Sequence, residues 1–586
     1  MKFLRNLLAA ILGCLMAFGI LMAMFFIFIT LIGSADQGVV VKQNSILELS
    51  FTEPIRDYVG RDDTDPFAGL WSNEVGLDDI IHGINVAATD DNIKGISLTT
   101  SFLQAGLAQA QEIRKALSDF KSTGKFIYAH SDFFTQKDYY LASVADELYL
   151  NPVGAMDFKG LATEVLYFKD LQEKAGVKME VIRHGKYKSA VEPYLSNTMS
   201  EENREQIGEL IGSIWGQMLE DIGASRDMGT DRLNIIADTL GGRTPEFAVQ
   251  SGLIDGEIYF DEYETLLKAQ MGLEPTESLN YVKFEDYLQV SGSKRLRSGR
   301  DKIAVIYAEG EIYYGEGGKE FIGQGLITRA LQKAVENEDI KAIVLRVNSP
   351  GGSALVSDII WRQVELAKKE KPVVVSFGNV AASGGYYIGV AADKIFAEPT
   401  TITGSIGVFG TIPNAHELAG NIGINAEQVG TNKNSVDYSL FEPMSKEFRD
   451  VVQEGIEDTY ETFLARVAAG RNMSLEAVDA LAQGRVWSGV DAVENGLVDE
   501  LGSLDDAIEA AAEMADLGDF GIRKYPKYKS DFQRFMDDMA GAKSKMGEVL
   551  IQEEIGGEAY RILKEFKNIT EQKGIQARMP FSLNIK

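Results

Sequence analysis

A serine flanked by small residues, in the string Ala381-Ala382-Ser383-Gly384-Gly385, follows a strand-like run at 372–377 and precedes a helix-like stretch. A tight turn of that kind exposes a hydroxyl for nucleophilic attack and lets backbone N–H groups approach a reacting carbonyl. The plainer alternative is a serine that only caps the following helix. A second loop, Asn348-Ser349-Pro350-Gly351-Gly352, follows a strand-like run at 341–347. Its paired glycines offer unobstructed amide donors of the kind that hold a developing oxyanion. A serine nucleophile needs a base. The chain has four histidines, His82, His130, His184 and His416, and none stands in a recognisable triad setting. His416-Glu417 opens an HExxG string that lacks the second histidine of a zinc motif, so no metal is expected. The other candidate base is a lysine, whose pKa falls when burial disfavours the ammonium. The segment RHGKYKSAVEPY at 183–194 supplies two, Lys186 and Lys188, with His184 close by. Spacing leaves the choice between them open, and lysines in such a segment are usually solvated surface charges.

These pieces belong to different copies of one repeat. Sliding the chain by 247 positions lays Ile93, Lys94, Ile96 and Leu98 on Ile340, Lys341, Ile343 and Leu345. The same offset lays Tyr139, Tyr140, Ala145, Asp146 and Pro152 on Tyr386, Tyr387, Ala392, Asp393 and Pro399. Further on, Gly242-Arg243 answers Gly484-Arg485, and Gly252-Leu253-Ile254-Asp255 answers Gly496-Leu497-Val498-Asp499. Between the anchors, NSPGG faces SFLQA, Ser383 faces Gln136, and Asn434 faces Lys188 after a one-residue slip. One half therefore kept the serine loop and the other kept the lysine. A turn retained only for shape would be expected in both copies.

Short β-branched runs alternate with helical-period stretches, which predicts βαβ units around a mostly parallel sheet. The expected organisation is a membrane segment at 1–35, a first αβ block at 45–289 and a Ser/Gly-rich basic linker at 290–302. A second block at 303–515 and a charged helical extension at 516–586 follow. Lys2 and Arg5 precede an uncharged apolar run through residues 6–33. That run is longer than the ~7–15 residues of a signal-peptide core and long enough for a spanning helix. The basic residues would stay cytoplasmic and the body would lie on the far side. A formal net charge of −29 argues against a nucleic-acid partner. A single cysteine, Cys14, excludes an intramolecular disulfide framework.

Four strings in order, YKSAVEPY, RVNSPGGS, ASGGYY and TGSIGVFG, resemble the long, tandem-repeat form of the signal peptide peptidase A family, also called protease IV. The resemblance covers essentially the whole chain. It implies an α/β fold built as a tandem duplication of a ClpP/crotonase-like domain behind an N-terminal transmembrane helix. It also implies a Ser–Lys dyad without cofactor. Ser383 matches the nucleophile, Lys188 rather than Lys186 the general base, and Ser405 the residue that orients the lysine. The amides of Gly352 and Gly384 match the oxyanion donors. The implied substrates are remnant signal peptides and other short hydrophobic peptides. The implied setting is a homotetramer in the bacterial inner membrane, with its catalytic body in the periplasm. Rival expectations are a non-catalytic membrane scaffold, a hydrophobic-peptide binder of the same fold, and a crotonase-type acyl-CoA enzyme.

Overall fold

The 247-residue offset carries over into the strands and helices themselves. Strands Ile93–Leu98, Phe126–Phe134 and Glu147–Met156 begin that far ahead of Ile340–Ser349, Val373–Ala382 and Lys394–Ala397. Helices Leu77–Thr89 and Leu107–Ser122 stand in the same relation to Gln324–Glu336 and Ala354–Lys368. The structure is a computed structural model and describes residues 2–34, 39–60, 74–292, 294, 296–436, 438–528 and 576–579.

Each copy builds a largely parallel sheet. In the first, the order is Gly256–Glu257, Glu147–Met156, Phe126–Phe134, Ile93–Leu98, Ser45–Leu49 and Asn280–Lys283, all pairs parallel. In the second, Lys302–Glu309 lies between Ile340–Ser349 and Gly521–Tyr525, with Val373–Ala382 beyond. The apolar runs Ile343–Leu345 and Val373–Val375 are fully buried because helices cover both faces of the sheet. Helix Leu107–Ser122 turns Ala110, Ile113, Leu117 and Phe120 inward at a spacing of three and four residues. Each such buried side chain is worth about 1.5–3 kcal/mol.

A third sheet joins the halves. Its order is Phe321–Gly323, Glu311–Tyr313, Gly351–Ser353, Gln576–Arg578, Val408–Asn414 and Lys178–His184. Lys178–His184 comes from the first copy and pairs antiparallel with Val408–Asn414 of the second, from Val408↔His184 to Asn414↔Lys178. A buried charge cluster closes the same seam. Arg346 donates to Asp57 Oδ2 at 2.8 Å and to Glu112 from the first half, and to Ser376 Oγ at 2.8 Å in its own half. The two carboxylates hold the Arg346 guanidinium firmly charged despite its burial.

The second sheet runs past the boundary expected at 515, since Gly521–Tyr525 is one of its strands. The described parts of the expected helical extension are thus two strands and their flanks. Its charged stretch at 532–550 lies outside the described residues. Helix Lys2–Ser34 runs 33 residues, with side chains described at 2, 5–6, 9–20 and 22–24. Among the described residues, no helix is long and apolar enough to cross a membrane.

Candidate active site

Strand Val373–Ala382 ends in a turn that only an unusual backbone can make. Ser383 has φ 56° and ψ −115° and stands directly before helix Gly384–Gly389. An L-residue pays for that conformation, and it persists because its surroundings fix it. Ser383 N donates to Gly404 O at 2.8 Å, and its carbonyl accepts from Tyr387 N at 2.9 Å. The turn also presses helix Gly384–Gly389 against the neighbouring loop. A β-carbon on Gly385 would stand 2.4 Å from Ser349 O.

Lys188 reaches Ser383 from the other half of the chain. The antiparallel pairing of Lys178–His184 carries the loop after it over the second sheet. Tyr187 N then donates to Gln483 O at 2.9 Å. Gln206 Nε2 fixes the loop from behind, donating to Tyr187 O at 3.1 Å and Ser189 Oγ at 2.6 Å. Space for the lysine backbone depends on Gly484, where a β-carbon would come within 2.7 Å of the Lys188 main chain. Lys188 is wholly buried. Its Nζ lies 2.9 Å from Ser383 Oγ, 3.0 Å from Ser405 Oγ and 3.1 Å from Ser405 O.

Burial alone drives the Lys188 amine well below its ordinary pKa of 10.5. A neutral amine has two N–H donors and one lone pair. Ser405 offers two oxygens for the donors, and the Ser383 hydroxyl can donate to the lone pair. The three contacts suit proton transfer from Ser383 to Lys188. The glycine amides converge at the same place. A β-carbon on Gly384 would lie 3.2 Å from Gly352 N, and one on Gly351 would lie 2.8 Å from Gly384 N. The amides of Gly352 and Gly384 therefore border one spot beside the serine.

The comparisons with known proteins agree in both halves. The model of peptidase family S49 matches residues 119–274, which contain Lys188, and 365–518, which contain Ser383 and Ser405. The chain belongs to peptidase family S49. Protease 4 of Haemophilus influenzae is 40% identical over 448 residues, covering 75% of this chain and 73% of that one. Protease 4 of Salmonella typhi is 38% identical over 484 residues, covering 81% and 77%. The chloroplastic serine protease SPPA of Arabidopsis thaliana is 33% identical, covering 81% and 70%. Among solved structures, a ClpP1 mutant from Listeria monocytogenes aligns with 35% of this chain at 18% identity and a TM-score of 0.24. As an S49 peptidase of this kind the protein is a serine peptidase.

The same positions in the first half of this S49 peptidase are plugged. Gln136, the counterpart of Ser383, accepts from Lys159 N and Gly160 N at 2.9 Å each. Asp138, the counterpart of Gly385, takes the amides of Phe102 and Leu103 at 2.9 and 2.7 Å. Those amides lie in the loop that answers NSPGG, at the counterparts of Ser349 and Pro350, so in the first half a carboxylate ties that loop to the following helix. In the second half the counterpart of the lysine loop is solvated, and Asn434 is exposed.

The remaining candidates have other partners. His184 stacks on Tyr460 with ring centroids 4.0 Å apart, and Lys186 lies over the Tyr187 ring. His416 Nδ1 is 2.7 Å from Phe441 O. Among the described residues, no cluster of three or more His, Cys, Asp or Glu side chains could hold a metal ion. Gln206 and Gly484 were not legible as site residues. The repeat pairs Gly484 with Gly242, yet only position 484 abuts a lysine.

Proposed function

We propose that this S49 peptidase cleaves short hydrophobic peptides, remnant signal peptides among them, by a Ser–Lys dyad assembled across its two halves. The observation that carries the reading is the fully buried 2.9 Å contact between Lys188 Nζ and Ser383 Oγ. Neutral Lys188 takes the hydroxyl proton as Ser383 Oγ attacks the scissile carbonyl carbon. The carbonyl oxygen becomes an oxyanion held by the amides of Gly352 and Gly384, a term worth ~2.7–4 kcal/mol per donor. When the C–N bond breaks, Lys188 gives its proton to the leaving amine and the acyl-serine remains. Lys188 then draws a proton from water, which attacks the ester and restores the serine. Ser405 keeps the amine aimed throughout. One residue thus acts as base and acid, as a histidine does in a triad.

The substrate class rests on relatives, one of which, from Enterococcus faecium, is described as a putative signal peptide peptidase. The anchor reading rests on helix Lys2–Ser34, which carries no charge after Arg5. Its described apolar side chains, such as Leu15 and Phe18, are exposed, as lipid-facing residues are. Two ClpP/crotonase-like units, a single-pass topology in the bacterial inner membrane, a periplasmic body and a homotetramer complete the proposal.

The test is turnover of a short hydrophobic peptide. Ser383→Ala and Lys188→Ala should each lose at least about 10³-fold in kcat while keeping the wild-type melting curve, because acid–base transfer alone supplies ~10²–10⁴. Retained turnover in Lys188→Ala would reassign the base.

A further inference from the structure

One short segment of the second half touches both loops that hold the amine of the proposed dyad. Gln483 O accepts from Tyr187 N at 2.9 Å, next to Lys188. Gly484 N donates to Ile406 O at 2.8 Å, and Arg485 O accepts from Ser405 N at 2.6 Å. Residues 483–485 therefore set how far the lysine loop stands from Ser405, whose two oxygens face the amine. Gln483 makes this link at φ 54°, a left-handed conformation that a residue bearing a β-carbon rarely adopts. Such a backbone keeps its shape where its surroundings fix it.

Those surroundings are Tyr460 and Asp479. The Tyr460 hydroxyl accepts from Gln483 N at 3.3 Å and from Gln483 Nε2 at 3.2 Å, and it donates to Asp479 Oδ1. Gln483 Nε2 also donates to Asp479 Oδ1 at 2.6 Å. The hydroxyl thus uses its donor and both lone pairs. Tyr460 is buried in helix Lys446–Arg471, and its ring stacks on His184, the last residue of Lys178–His184. One side chain thereby grips the lysine loop twice, at His184 before it and, through Gln483, at Tyr187 within it. The first half is built differently. Trp215 and Asn234 occupy the places of Tyr460 and Asp479 and bond to each other at 2.9 Å. Gly241 stands for Gln483 and has no side chain to reach them. Arg243, which answers Arg485, donates to Leu240 O in its own turn.

We propose that Tyr460 and Gln483 are positioning residues for the Ser–Lys reaction, fixing the loop that keeps the Lys188 amine against Ser405 and away from water. This rests on the peptidase reading of the site and adds to it the device that holds the base. Both residues act through the backbone of the lysine loop, so their effect reaches the chemistry through the burial of the amine. A loop released from Tyr460 lets water approach Lys188, which moves its pKa up toward that of a free lysine. The neutral fraction at a given pH then falls, while the glycine amides beside Ser383 keep their places.

The experiment measures kcat and KM of the full chain against a short hydrophobic reporter peptide across pH. Tyr460→Phe keeps the stacked ring and removes the hydroxyl, and Gln483→Leu keeps the bulk and removes the donors. Each should raise the midpoint of the kcat profile by about one pH unit, so that kcat falls about tenfold below the midpoint and returns to within about threefold of wild type above it. KM should stay within about twofold. Trp215→Phe, the matching change in the first half, should leave the profile in place. A lower melting temperature with an unmoved midpoint, or a loss of kcat equal at every pH, would overturn the proposal and leave the peptidase reading intact. A second readout needs no turnover. Denaturation curves with and without Lys188→Met isolate the pH-dependent stability that Lys188 contributes. In the Tyr460→Phe background that window should narrow by about one pH unit at its low end, and an unchanged window would likewise overturn the proposal. A narrowed window in a chain that hydrolyses no peptide would support the positioning role and count against the peptidase reading.

Discussion

In the proposed dyad Lys188 can act as a base because, among the described residues, no carboxylate offsets its burial, which pushes the amine well below 10.5. The rate should therefore rise with pH and level off well below pH 10.5, falling about tenfold per unit beneath the lowered pKa. Stability carries the same signature. Between the lowered pKa and 10.5 the unfolded chain binds a proton at this lysine and the folded chain does not, so stability grows as pH rises through that window. The contribution reaches about 1.4 kcal/mol per pH unit. Lys188→Met should lack that slope, measured as the difference between the two denaturation curves across the window. Equal slopes would mean that Lys188 stays charged. Burial is also what the sequence alone did not disclose. Lys186 and Lys188 are two positions apart in a polar segment, and only the structure puts one over the Tyr187 ring and the other inside the protein.

At the scale of elements, the proposed base depends on a single glycine packed against its loop. Gly484 has φ 83°, and a β-carbon there would meet the Lys188 main chain at 2.7 Å. A β-carbon on its counterpart Gly242 would meet the ends of Met156 and Leu253 at 2.9 and 3.1 Å and the Phe158 β-carbon at 3.4 Å, with no main chain among them. Gly484→Ala should cost at least about 10²-fold in kcat, since a displacement near 1 Å is enough, while Gly242→Ala should stay near wild type in the same assay. The paired strands and helices were legible because their starts share one offset and their apolar runs alternate with helical spacing. Lys178–His184 was harder to place. It mixes charged and apolar residues, and its partner strand lies more than two hundred positions away. Gln576–Arg578 carried no apolar run at all. Its strand character comes wholly from the edges it joins.

Across the whole molecule, the proposed dyad needs the two halves docked, since each carries one of its members. Arg346 ties the halves together one strand-end away from the loop at 348–352. Arg346→Met leaves Asp57 and Glu112 buried without their partner and should cost about 3–5 kcal/mol in denaturant unfolding. Removing Arg297, whose partners Asp505 and Glu509 are half-exposed, should cost no more than ~1 kcal/mol. The division of labour was visible from the sequence as a serine loop without its lysine and a lysine without its serine. Their meeting was not visible, because it depends on the third sheet and on Gln206 and Gly484 behind it. The most direct test is the rate at which an activated peptide phosphonate ester phosphonylates the protein with loss of its leaving alcohol, with the modified residue mapped by mass spectrometry. Wild type should be labelled at Ser383, faster as pH rises, and Lys188→Ala should be labelled at least about 10²-fold more slowly. Labelling of Ser383 at the wild-type rate without Lys188 would contradict a dyad shared between the halves.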